Sequence, residues 1–418
     1  MEERRKNNVQ VDIDGRISRL PDEQSSWPRI FQVPHYLRKV NKEAYEPGII
    51  SIGPYHRQKD HLKAMETHKV RFLKDLLRGR GEYSAQRYVE LMSDRMERAR
   101  NCYSESLSIS DSEFLEMMVL DGCFIVELIY KIFDDWMQDP LLKVDQIYSQ
   151  ILKDLILIEN QLPFFVLSDQ FQNIDCFHCL FEDLLGAKDK VGSSNSPTYD
   201  KNPITNVRHL PDLLRTNIWR PPQDSKSGSS TVQDGNGRFL IPSATELREA
   251  GIKFKKVDNR NLFDIRFENG TLEIPQLTID DATEILYRNF IACEQFDDYN
   301  SPQHLTEYRK VLDGLINTGK DVELLCRKGI IEHWLGSYEE VATMINSLGT
   351  ELMMGENFFY AQLFKEVNEH YNRRCNKTMA SLRHNYFNSP WALISVLAAA
   401  FLLLCTLLQT TFTIFPRS

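Results

Sequence analysis

The sequence predicts a mainly α protein: a helical domain with a small antiparallel β-hairpin or sheet and a C-terminal transmembrane helix. Three observations carry this. Apolar residues recur at helical spacing over most of the chain, one short region alternates apolar and polar around an Asn-Gly pair, and the end of the chain is an uncharged apolar run. The 418 residues are 42% hydrophobic and 26% charged, enough to bury a substantial core. A net charge of -9 leaves no overall positive field to attract phosphates, so nucleic acid is not expected as a partner.

Residues 1–26 read as a flexible tail. Met1 to Asn7 is charged, and no apolar block follows before Pro21, so no cleaved secretory signal is expected. The helical domain is expected over 27–388. From Asp60 to Phe133 helical spacing is clear, first in Leu62, Met65, Phe72 and Leu76, later in Phe114, Met118, Ile125 and Leu128. Pro163 interrupts the apolar run from Ile151 to Leu167, predicting a helix that ends near Gln161 and another with Pro163 in its first turn.

Residues 186–238 are rich in Gly, Ser, Pro, Asn and Asp and read as a mobile insertion. Within it, His209 to Trp219 keeps Leu210, Leu213, Leu214 and Ile218 at the spacing of one docked helix. The region 253–277 is expected to form the small sheet. Its segments are Lys253 to Val257, Leu262 to Glu268 and Thr271 to Leu277, and Asn269-Gly270 is the turn pair that tolerates positive φ in a tight hairpin. Helical spacing resumes after Asp280, and 337–385 reads as long helices leading to the anchor, 389–416.

Trp391 to Phe415 is a run of 25 residues without charge, Gly or Pro, about 37 Å long as a helix at roughly 1.5 Å per residue. It predicts a single membrane span and a membrane localisation, the plasma membrane among the candidates. Arg373, Arg374, Lys377 and Arg383 precede it and Arg417 follows, which puts the domain on the cytosolic side. Asn269-Gly270-Thr271 and Asn376-Lys377-Thr378 would be glycosylation acceptors on an outward-facing domain.

Catalytic signatures are missing: there is no Gly-x-Ser-x-Gly elbow, phosphate-binding loop, His-Glu-x-x-His or Gly-x-Gly-x-x-Gly. Asp121 lies on the stripe of Phe114, Met118 and Ile125, and Glu159 follows Ile151 and Leu155 at helical spacing. Both are read as partly buried acids. Such acids usually pair with an Arg, such as Arg98 or Arg100, or accept backbone N–H groups, although a general acid and base is the alternative. His56, in Gly53-Pro54-Tyr55-His56, and His35 are a further conceivable proton-transfer pair, set against a rigid turn that covers the helices. Cys176-Phe177-His178-Cys179 lacks a second spaced pair for zinc, so core packing is expected there. No catalytic, cofactor-binding or metal-ligating residue is assigned.

Several ordered motifs resemble one family. They include Ile30-Phe31-Gln32-Val33-Pro34, Ser51-Ile52-Gly53-Pro54-Tyr55-His56, Met65-Glu66 with Lys69, and Ala99-Arg100-Asn101-Cys102-Tyr103. Met117 to Phe124, Leu157-Ile158-Glu159-Asn160-Gln161-Leu162-Pro163, Ala244-Thr245-Glu246-Leu247 and Arg288-Asn289-Phe290 continue the match. Together they resemble the plant domain-of-unknown-function 247 family, the UPF0481 proteins, from about Ile30 to Phe415. The resemblance implies a single-pass plant membrane protein without an established activity or agreed catalytic residues. Some grass members are linked to self-incompatibility loci, so the expected function is non-catalytic recognition or signalling through an unknown protein partner.

Overall fold

The computed structural model describes residues 30–105, 107–134, 139–168, 207–218, 240–258, 261–297, 301, 303–349, 358–373 and 390–414, with Gln10, Ile13 and Asp14. The expected tail at 1–26 therefore falls almost wholly outside the described residues, as do Cys176, Cys179, Asn376 and most of the insertion at 186–238. Helices dominate, and the chain divides into two compact units.

The first unit takes in residues up to Gln32, Ile49–Val144 and Glu159–His209. Its centre is the helix Asp111–Asp134. Ser110 and Glu113 start that helix reciprocally: the Glu113 N–H donates to Ser110 Oγ, and the Ser110 N–H donates back to the Glu113 carboxylate. Helices Ala64–Gly79, Gln86–Ser93, Met96–Arg100 and Phe164–Ser168 pack on it. Residues 121–126 are buried on every side, so this is a core helix and not the one-sided amphipathic helix that its spacing suggests. Phe72 meets Phe124 across the main helix pair with ring centroids 4.7 Å apart.

Val33–Gly48, Asp145–Ile158 and Leu210 onward make the second unit. The helix expected within His209 to Trp219 is present at Leu210–Ile218, where it packs on Thr283–Gln295 through buried Leu210, Leu213 and Leu214. A mixed three-stranded sheet and a separate parallel pair replace the expected antiparallel sheet. Strands β1 (Lys253–Val257), β2 (Arg266–Glu268) and β3 (Thr271–Pro275) lie in the order β1-β3-β2. The hairpin is as read: Asn269 (φ 50°) and Gly270 (φ 75°) make a turn with two positive φ values, and β2 is antiparallel to β3. However, β1 is parallel to β3, because it enters beside the turn, with Lys253 opposite Thr271, and runs the same way. A second, parallel pair joins β4 (Leu277–Ile279) to β5 (Ile331–His333), far apart in sequence and each only three residues long.

The helix expected to reach Gln161 stops at Leu155, and residues 156–163 are not helical. Pro163 sits just before Phe164–Ser168, as its preset φ favours.

The expected membrane span is corrected. A helix runs Pro390–Ile414, but among the described residues no helix is long and apolar enough to cross a membrane. A span takes about 20 predominantly apolar residues. Ser395, Gln409 and four threonines interrupt the apolar residues of this helix. The Thr406 and Thr410 hydroxyls turn back to the carbonyls of Leu402 and Thr406. The single-pass topology, the membrane as a partner and the membrane localisation read from Trp391 to Phe415 are withdrawn with it.

Candidate functional site

In the first unit, the helix Ala64–Gly79 buries Met65, Phe72 and Leu76, and Lys69 shares that face. A lysine there must bring its own counter-charge, since an unpaired buried ammonium is prohibitively costly. Lys69 Nζ donates to the Ser51 carbonyl at 2.5 Å and to Asp121 Oδ1 at 2.6 Å, and lies 2.6 Å from Glu66 Oε1. Two of the ammonium's three N–H donors thus have hydrogen-bond acceptors, and Glu66 adds counter-charge beside them. The other Asp121 oxygen accepts the Gly53 N–H at 2.8 Å. Lys69 and Asp121 are both fully buried. Burial pushes the Asp121 carboxyl above its ordinary pKa, and the Lys69 charge pulls it back.

The segment Glu159-Asn160-Gln161 closes the cluster from a non-helical stretch. Asn160 Oδ1 accepts the Ile52 N–H at 2.7 Å, and its Nδ2 donates to the Ile50 carbonyl at 3.0 Å, much as a neighbouring strand would. The Gln161 carbonyl accepts the Tyr103 hydroxyl at 3.0 Å. Gly53 has φ 74°, and a Cβ there would collide with the Gln161 carbonyl oxygen, so glycine serves both conformation and space. Tyr103 is wedged edge-on between Tyr55 and Phe114. Burial, then the Asp121 charge, drives its hydroxyl pKa well up. His56 Nε2 lies 3.1 Å from Glu159 Oε2, both side chains at most 5% exposed, without the alignment of a hydrogen bond.

Asp121, Glu159 and His56 therefore share one cluster, although Glu159 was read on a helix and lies in a turn after it. The expected Arg partners are replaced by Lys69. Arg98 stacks over the Phe165 ring at 3.9 Å, while Arg100 binds the Ile109 carbonyl and Asp111. His35 is exposed on the helix His35–Arg38 of the second unit and takes no part. Lys69 was legible as a charge on an apolar stripe. Asn160 carried no such signal, because its role depends on backbone more than a hundred residues away.

A second buried asparagine does the same work in the other unit. Asn289 Oδ1 accepts the Ile158 N–H at 2.9 Å, and Nδ2 donates to the Ala44 carbonyl at 2.7 Å. Among the described residues no group of three or more His, Cys, Asp or Glu side chains is placed to hold a metal ion.

Chemically, the Lys69 centre is closed: its ammonium is held by Ser51 and Asp121 with Glu66 against it, and Asp121 is committed to Lys69 and Gly53. The Lys69–Asp121 pair is the pattern of a polar core that specifies one packing, while Ser51 Oγ and both His56 ring nitrogens beside it are buried without a hydrogen-bond partner among the described residues.

The DUF247 family model, described as a plant protein of unknown function, matches residues 30–405. A UPF0481 protein of Arabidopsis thaliana is 32% identical over 91% of this chain and 85% of its own length. A putative UPF0481 protein of the same plant is 23% identical over 96% of this chain and 93% of its own length. No solved structure matches the chain.

Proposed function

The chain belongs to the DUF247 family of plant proteins, and on that footing we propose that it is a non-catalytic module for protein recognition or signalling. The self-incompatibility linked to some grass relatives is one form such recognition takes. The observation that carries the reading is the closed Lys69 centre. The Lys69 ammonium donates to Ser51 and Asp121 with Glu66 against it, and motif residues up to 108 positions apart spend polar groups on one another. Residues selected for chemistry leave valences directed at a substrate; Lys69 and Asp121 direct theirs inward.

The test uses the full chain with a proximity label in plant cells, comparing wild type with Glu159→Gln and His56→Asn. A recognition module keeps one reproducible set of neighbours in both variants so long as they remain folded. Turnover of any substrate that stops in Glu159→Gln, with the fold and the neighbour set intact, would overturn the reading in favour of an enzyme using buried carboxylates.

A further inference from the structure

Buried arginines in the second unit follow a rule. Arg288 donates to Glu284 at 2.7 Å and to the Ser347 hydroxyl at 2.8 Å. Arg215 lies 3.0 Å from Asp212 and 2.7 Å from Asp297. Arg309 breaks the rule. It projects from the middle of the helix His304–Leu315, and 5% of its side-chain surface is accessible. Its Nε, like that of Arg215, is buried without a hydrogen-bond partner among the described residues, but unlike Arg215 it has no acid there within 3.5 Å of its guanidinium. Among the described residues the one acid within 4 Å of it is Asp313, whose Oδ2 stays 3.8 Å from Nη1 and is shared with Lys310.

A guanidinium offers five N–H donors in a planar fork, and leaving it buried and unmatched costs several kcal/mol. The protein nevertheless makes room for it. A Cβ at residue 349 would overlap Arg309 Nη1, and the residue there is Gly349. Burial lowers the Arg309 pKa, the sign of a charge short of counter-charge. Arg309, Lys310 and Asp313 together leave one net positive charge. A fork of this shape is matched by two oxygens of a single anionic group, as in a carboxylate or a phosphate.

We propose that Arg309, in the space left by Gly349, anchors a binding site for an oxyanion group, a phosphate or a carboxylate. The site is independent of the recognition reading above and stands whether or not that reading does.

The experiment is thermal unfolding of the purified full chain in sodium phosphate or sodium acetate, against sodium chloride at matched ionic strength. A saturable rise in Tm with phosphate alone assigns a phosphate group, and one with acetate assigns a carboxylate. Arg309→Gln should weaken the apparent affinity by roughly tenfold or more, the usual weight of a charge-assisted hydrogen bond. Gly349→Ala should displace the fork and remove the effect with the arginine still present, and Arg309→Lys keeps the charge without the fork; these serve if Arg309→Gln does not fold. No saturable rise with either anion overturns the proposal, and so does an equal rise in wild type, Arg309→Gln and Gly349→Ala. A rise that emerges only in a Glu351→Gln, Glu356→Gln double variant also overturns it, since the partner would then be an acid of this chain.

Discussion

Lys69 and Asp121, fifty-two positions apart, form a fully buried ion pair at 2.6 Å that also holds the backbone of Ser51 and Gly53. Removing one partner strands the other. Lys69→Met should cost about 3–5 kcal/mol by leaving Asp121 without its counter-charge. The double variant Lys69→Met, Asp121→Asn should be more stable than Lys69→Met alone, as read by urea unfolding. If the two single costs simply add, the pair is not coupled and the closed-centre account fails.

Asn160 and Asn289 each satisfy one N–H and one carbonyl of distant backbone. Asn160→Ala should cost roughly 2–3 kcal/mol, because a buried donor and acceptor are left unmet together. Amide exchange is the sharper readout: Ile52 should lose protection in Asn160→Ala, and Ile158 in Asn289→Ala. Protection unchanged at those amides would mean that the side chains are bystanders.

Gly53→Ala combines a positive φ with a Cβ placed on the Gln161 carbonyl oxygen. Backbone strain alone is of order 1–2 kcal/mol for a residue with a Cβ, and the collision adds to it. Chemical denaturation should show a loss clearly above that for Gly81→Ala, where φ is 68° but no atom lies within 4 Å of the added Cβ. Equal losses would rule out the close approach.

His304 and Glu307 occupy one turn of the same helix and titrate against each other. Burial pushes Glu307 up to about 7 and His304 down to about 3. The folded state holds the Glu307 proton more tightly than the unfolded chain does, so stability falls as pH rises from about 4.5 to 7. For His304 the unfolded chain binds the proton more tightly, so stability rises as pH climbs from about 3 to 6.5. Between pH 4.5 and 6.5 the two oppose. Glu307→Gln should gain on wild type as pH rises through this window, by up to about 3 kcal/mol, and His304→Asn should show a steeper fall. Difference curves against wild type remove Glu127, which burial also pushes to about 7. Parallel curves for wild type and Glu307→Gln would refute the assignment.

Much of the local architecture was legible from residue spacing. The main helices of both units, the Asn269-Gly270 hairpin, the helix at Leu210–Ile218 and the burial of Asp121 and Glu159 all follow from patterns within a dozen or so residues. The apolar period of Ile151, Leu155 and Ile158 continued past the helix end at Leu155, and so misplaced Glu159. Periodicity reports burial, and a buried turn can carry the same apolar residues as a buried helix. The C-terminal run was read by hydropathy as a span, and the described residues hold no helix of the required length and apolarity.

What the sequence by itself determined is therefore the helical class, the hairpin turn and the set of residues that must go inside, because propensity, turn chemistry and apolar period act over short separations. Only the tertiary structure decided that Lys69 and not an arginine neutralises Asp121, that β1 and the β4–β5 pair run parallel, and that Arg309 Nε is left without a hydrogen-bond partner among the described residues. Each of these depends on which distant segments are brought within about 3 Å, and a hydrogen bond or ion pair at that range leaves no periodic trace in the chain that makes it.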